Sequence, residues 1–404
     1  MPTVDERLQR YARLAVRVGV NLQPGQILGI NALLEHAPFA RAIAREAYVA
    51  GARYVDVQYS DQHVRREHII AASDDQLGFS PPWLVERLNE LGRVGGALLA
   101  ISGNPEPEIF ADLPGDRVAR SRMRAVAEAS LRLTDGLCNW SIVAYPNAGW
   151  ATTVLGEPDV ERLWDAVGHA VRLDVPDPVA AWQTHIKHLE ERADRLNERA
   201  FDHLHYRGPG TDLTIGLHAE SEWQAALDRS NSGIDHVANM PTEEVFTSPD
   251  SRRVEGTVRS TLPLQIQGTI VRDLEVRFEG GRAVDVRASS GEDVIKTHVG
   301  TDDGAARLGE VALVDGHSAV GETGLVFYDT LFDENASSHI AFGAPILQAV
   351  EWAMPLSPEE RVDRGVNHSS IHTDFMIGSN ALDVDGVTAA GEAVPILRNG
   401  DWLL

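Results

Sequence analysis

The chain has a single cysteine, Cys138, in 404 residues. That excludes an intramolecular disulfide framework and fits a reducing compartment. Within Gly136-Leu137-Cys138-Asn139-Trp140 the thiol reads as a small core residue rather than a nucleophile. Positive charge is also short: Lys and Arg total 36 against 60 Asp and Glu, a formal net charge of −24. Nucleic-acid binding needs a positive footprint, so this balance argues against a nucleic-acid partner. The acidity itself reads as a solubility feature. No long uncharged apolar run occurs, and Met1-Pro2-Thr3-Val4-Asp5-Glu6-Arg7 lacks the apolar core of a signal peptide. No membrane partner is therefore expected, and the expected location is the cytoplasm. A Gly-x-Gly-x-x-Gly turn after the first predicted strand is also missing, which argues against a dinucleotide site.

What is present points to two domains. A chain of this length exceeds a typical single domain, and 43% hydrophobic residues support substantial cores. The first part alternates strand and helix. Gln26–Ile30 reads as a buried strand, followed by a helix from Pro38 with Phe39, Ile43, Ala47 and Ala50 on one stripe and Gly51 as its stop. Tyr54–Tyr59 alternates as a strand, Pro82–Leu91 reads as a helix and Ala97–Ile101 as another buried strand. This order predicts an α/β N-terminal domain with an open, mainly parallel sheet over residues 1–185. A long helix over Ala180–Ala200, with Ile186, Leu189, Ala193 and Leu196 as its apolar stripe, connects it to the next domain. His185 and His188 flank that stripe and read as partly exposed surface residues.

From Phe201 onward strands and turns dominate. Gly208-Pro209-Gly210 reads as a tight turn, and Glu275–Phe278 with Ala283–Val286 as a hairpin around Gly280-Gly281. Residues 186–404 are thus predicted as an α+β C-terminal domain, rich in antiparallel strands, that carries every metal-ligand candidate.

Those candidates are Glu244, Glu310, His339, His372 and Asp374. Carboxylates mixed with imidazoles, without thiolate, suit divalent zinc, cobalt or manganese. Five donors exceed what one tetrahedral ion needs, and a carboxylate can bridge two ions. His372 and Asp374 lie two apart, so an extended backbone points both to one face. Glu244 sits in Pro241-Thr242-Glu243-Glu244-Val245-Phe246, and Glu310 ends Leu308-Gly309-Glu310 before an apolar run. His339 closes Asp333-Glu334-Asn335-Ala336-Ser337-Ser338-His339, and the last pair opens His372-Thr373-Asp374-Phe375-Met376-Ile377-Gly378.

Taken in order and spacing, these stretches resemble the motifs of the aminopeptidase T-like family of dinuclear metallo-exopeptidases, of the thermophilic metalloprotease type. The likeness covers essentially the whole chain. It implies a metal-dependent aminopeptidase that releases N-terminal residues from small peptides, with two divalent metal ions per chain. It further implies a homodimer whose closed cavity excludes large polypeptides. The family's metal ligands fall on Glu244, Glu310, His339, His372 and Asp374. One position departs: the family's active-site tyrosine falls on Ile346, next to Pro345, and Tyr328 is the last tyrosine in the sequence. A phenol there can orient water or stabilise an oxyanion, and isoleucine can do neither.

Two ions can polarise a peptide carbonyl and lower the pKa of water to about 7. The bridging position is assigned to Glu244. Glu310 and Glu334 are the candidates for catalytic acid/base, and Glu334 is equally a sixth ligand or a partner that fixes His339. Glu243 projects away from Glu244 and is read as a solvent or salt-bridge residue. Two other functions remain. One is a metallohydrolase of the same fold with altered or weakened peptidase activity. The other is a non-catalytic metal-binding protein, against which the complete donor set argues.

Overall fold

The computed structural model describes residues 4–266 and 269–404. Contacts divide the chain into residues 1–184 with 227–242, and residues 185–226 with 243–404.

The first unit is built on four parallel strands in the order Tyr54–Ser60, Ile27–Leu33, Ala97–Ser102 and Asn139–Ala144. The two inner strands are predominantly buried, as expected where helices cover a parallel sheet. The Ala37–Val49 helix buries Phe39, Ala40, Ile43 and Ala47, with Pro38 in its first turn. Past its C-cap, Gly51 adopts φ +95°, a conformation that stops a helix at little cost only for glycine. Cys138 packs with Leu88, Leu91, Leu98, Ala129 and Leu133, and burial pushes its thiol up to about 12. It is a core residue, with no thiolate to offer at neutral pH.

Residues 227–242 group with this first unit, whereas strand and turn signals alone assign everything after 185 to the second. The cause lies in the main chain. Ile142 N–H donates to Ala238 C=O at 2.8 Å, and Met240 N–H donates to Ile142 C=O at 3.0 Å. The returning segment satisfies groups at the exposed edge of the Asn139–Ala144 strand.

The second unit begins within the 22-residue helix Pro178–Arg199. Its larger sheet has eight strands, antiparallel throughout, from Arg282–Arg287 at one edge to Asp401–Trp402 at the other. Gly208-Pro209-Gly210 turns the chain between His203–Gly208 and Thr211–Leu217. The Glu275–Glu279 and Arg282–Arg287 hairpin turns through Gly280 and Gly281, both at positive φ. Two consecutive positive φ values suit the tight hairpin turn whose twist matches the strands. A smaller four-stranded antiparallel sheet contains the fully buried strands Leu308–Val314 and His339–Gly343. Phe342 stacks on Phe375 at 5.0 Å between ring centroids, locking its last two strands together.

Candidate metal centre

The smaller sheet carries the site. Its strands lie in the order Glu244–Thr247, Leu308–Val314, His339–Gly343 and His372–Met376. Val314 pairs with Glu244, Glu310 with Ala341, Ala312 with His339, and Ala341 with Asp374. Since strand side chains alternate between faces, this register sends Glu244, Glu310, His339, His372 and Asp374 out of one face. Ala312 and Ala341 share that face and are fully buried. Their small side chains leave room for the longer ones around them.

The five side chains form two groups: Glu244, Glu310 and His339, and Glu310, His372 and Asp374. Within each group the donor atoms lie within 4.8 Å of one another. His339 Nε2 is 3.0 Å from Glu244 Oε2, His372 Nε2 is 3.0 Å from Glu310 Oε2, and His372 Nε2 is 3.3 Å from Asp374 Oδ1. Glu310, rather than Glu244, belongs to both groups. The register supplies the reason: Glu310 rises from an inner strand, whereas Glu244 opens an outer one.

The surroundings orient the donors. His372 Nδ1 meets the Ala344 carbonyl at 2.8 Å, which turns Nε2 toward the carboxylates. Glu244 Oε2 and Asp374 Oδ1 are buried and have no hydrogen bond of good geometry among the described residues. Each of these oxygens instead faces an imidazole nitrogen, at 3.0 and 3.3 Å, a pairing that calls for positive charge between the two, so the donor set fits divalent metal.

Protonation tells the same story. Burial raises Glu244 above the usual carboxylate range, against the opposing pull of His339. Burial raises Glu334 well above it, reinforced by Asp374 and Glu244. For His339 burial works downward, but contact with Glu244 outweighs it and lifts the imidazole to about 10. His372 is likewise lifted by Asp374 and Glu310 against burial. Burial works upward on Asp374, and the neighbouring His372 outweighs it, so that carboxyl lies below its ordinary value. The carboxylates thus hold protons on both imidazoles, and divalent cations bound at these donors compete with those protons.

Glu334 stands on the Thr330–Ala336 helix, buried, close to the cluster but in neither group. Asn335 is a residue that residue chemistry alone does not single out. Its Oδ1 accepts the Glu243 N–H at 2.7 Å and its Nδ2 donates to the Leu331 carbonyl at 2.9 Å, tying the helix to the segment entering Glu244. Its place inside the Asp-Glu-Asn-Ala-Ser-Ser-His motif is the one signal of it in the sequence. Two expectations change. His185 is half-buried rather than a free surface group: its side chain is only 9% accessible and its Nε2 lies 3.6 Å from Glu243 Oε2. Glu243 is correspondingly buried and takes the ion-pair alternative rather than solvent.

Beside the centre lies a cavity of about 230 Å³, lined in part by His372, Asp374, Tyr328, Asp329 and Asp333. Ile346 lies on the loop after His339–Gly343. Its N–H donates to Ser248 Oγ at 2.9 Å, and that hydroxyl donates back to the Ile346 carbonyl at 3.0 Å.

Comparison with known proteins gives a consistent result. The family profile described as thermophilic metalloprotease (M29) matches residues 4–402. Aminopeptidase T of Thermus aquaticus is 44% identical over 411 residues, covering 100% of both chains. Aminopeptidase AmpS of Bacillus subtilis is 39% identical, again over 100% of both. The solved structure of wild-type AmpT from Thermus thermophilus superposes with a TM-score of 0.93 at 41% identity, covering 100% of each chain.

Proposed function

This chain belongs to the thermophilic metalloprotease (M29) family and is a metal-dependent aminopeptidase, and we propose that it works with two divalent ions sharing Glu310. The observation that carries this reading is the pair of donor groups with Glu310 common to both. Glu244 and His339 would complete one position, and His372 and Asp374 the other. Zinc, cobalt or manganese suits these oxygen and nitrogen donors, and when bound would polarise the scissile carbonyl and make water nucleophilic near neutral pH.

The chain's own groups do the rest. With Glu310 committed to the ions, Glu334 is the proton carrier: it takes a proton from the attacking water and returns it to the leaving amine. Its helix holds the carboxyl beside the cluster without placing it in either donor group. Asp329 lines the adjoining cavity together with the metal-ligand Asp374 and gives its wall acidic character, which suits a substrate bearing a free ammonium group. Cytoplasmic location and a homodimer complete the proposal. The single cysteine, which fits a reducing compartment, supports the first, and the family resemblance supports the second, which light scattering of the purified chain tests.

Short peptides with a free amino terminus are expected to be cleaved from that end, and N-acetylated versions to lose about a hundredfold or more in kcat/KM, since acetylation removes the recognised charge. Release of amino acids, followed by chromatography, checks this. Efficient cleavage of acetylated peptides or of internal bonds would sink the aminopeptidase reading.

Ile346 supplies a second test. Ser248 holds its main chain at both N–H and C=O, so a larger side chain would leave from the same backbone position. Ile346→Tyr is expected to raise kcat about tenfold or more without changing metal content, because a phenol adds a hydrogen bond made in the transition state. Ile346→Phe controls for shape. Equal kinetics for the two variants would make Ile346 a wall of the substrate site instead.

A further inference from the structure

Among the described residues, the His372–Met376 strand pairs through its main chain with one strand only, His339–Gly343, although Leu264–Ile266 also comes near it. In an antiparallel pair, alternate residues point their main-chain N–H and C=O toward the neighbour or away from it. Contacts flanking this ladder set the phase. Ala344 N–H donates to the Ile371 carbonyl at 2.6 Å, and Ile377 N–H donates to the Ser338 carbonyl at 2.9 Å. Thr373 and Phe375 therefore face the sheet, while His372, Asp374 and Met376 turn their main-chain groups outward. Met376 agrees: its carbonyl accepts the Thr261 N–H at 2.8 Å. Among the described residues, no main-chain partner reaches the outward groups of His372 or Asp374.

The cavity lies along this edge. It is lined by His372 and Asp374 from the face that carries the metal ligands and by Thr373 from the opposite face. On that opposite face His298 Nε2 meets Thr373 Oγ1 at 2.7 Å. A space bordered by both faces of one strand must run past its outer edge. Pro263–Ile266 line the same space.

We propose that the outer edge of the strand at His372 and Asp374 is a β-addition site that holds the substrate's main chain beyond the scissile bond. The inference rests on the aminopeptidase reading and deepens it by naming how the peptide is held. A strand added there runs about 4.8 Å from its neighbour, which brings its amino-terminal end alongside the metal-ligand side chains of the same strand. Thr261 already occupies the Met376 carbonyl, so the edge accepts only a short stretch. Recognition through main-chain groups is indifferent to side chains, so preference among residues after the scissile bond is weak.

The test uses the metal-loaded enzyme and three substrates: an aminoacyl p-nitroanilide, a tripeptide, and the same tripeptide with an ester in place of the amide joining its second and third residues. The ester removes one N–H donor and weakens one carbonyl acceptor while keeping the shape. It is expected to lower kcat/KM for release of the first residue by about fivefold to twentyfold. A tripeptide whose scissile bond is reduced to a methyleneamine is expected to slow hydrogen exchange at the His372 and Asp374 amides. If the anilide and tripeptide are both hydrolysed but the ester analogue matches its parent, or those amides gain no protection, the β-addition site is wrong and the aminopeptidase reading stands. If neither the anilide nor the tripeptide is hydrolysed, the aminopeptidase reading falls and takes this inference with it.

Discussion

Glu310→Ala is expected to remove both metal ions and to lower kcat/KM by on the order of 10³ or more. The argument is geometric. Glu310 is the one side chain common to both donor groups, rising from an inner strand between the groups it serves. Glu244→Ala and Asp374→Ala each take a donor from one group only, so each variant should keep one ion. Elemental analysis of the three purified variants, with kinetics on one free-amino peptide, separates the cases. Should Glu310→Ala retain a full complement while Glu244→Ala loses both ions, the bridging role returns to Glu244.

Chelation is expected to lower the melting temperature by on the order of 10 °C, and by more as pH rises. Ligands that bind only the folded state stabilise it, and bound divalent metal would do so here. The pH dependence follows from the metal-free cluster. Glu244 and Glu334 are raised above the ordinary carboxylate value of 4.5, so the folded chain keeps protons the unfolded chain has released. Their contribution is fully present below that value and is lost as pH climbs through the raised values. His339, at about 10, has the same sign: its contribution is full below the ordinary imidazole value of 6.5 and lost as pH approaches 10. His372 acts likewise. Asp374 is lowered and has the opposite sign, but its contribution is lost only below its ordinary value of 3.8. Between about pH 5 and 9 the chelated protein should therefore weaken steadily, whereas metal competes better with protons as pH rises. Melting curves across that range, with and without chelator, check this. A gap that narrows toward high pH would contradict it.

Both predictions use residues that the sequence itself marks. Glu244, Glu310, His339, His372 and Asp374 stand in short motifs whose residue types declare their chemistry, and the two-residue spacing of His372 and Asp374 already implies one face of a strand. The parallel sheet is readable because its apolar strands alternate with striped helices such as Ala37–Val49. The hairpin is readable because Gly280-Gly281 tolerates two consecutive positive φ values. These signals are local, and a few neighbouring residues contain all the physics they need.

What the sequence by itself determined, then, is the fold class of each half and the want of an intramolecular disulfide, and it marked the five side chains proposed as metal donors. The tertiary structure alone decided that Glu310 and not Glu244 joins the two donor groups, because strand order is a relation among segments up to 132 residues apart, from Glu244 to Met376. It also decided that Glu243 is buried against His185, that residues 227–242 return to the first sheet, and that His372 and Asp374 present an open main-chain edge to a cavity. Each depends on which main-chain and side-chain groups meet after distant strands have chosen their register. Periodicity along one strand carries no record of that choice.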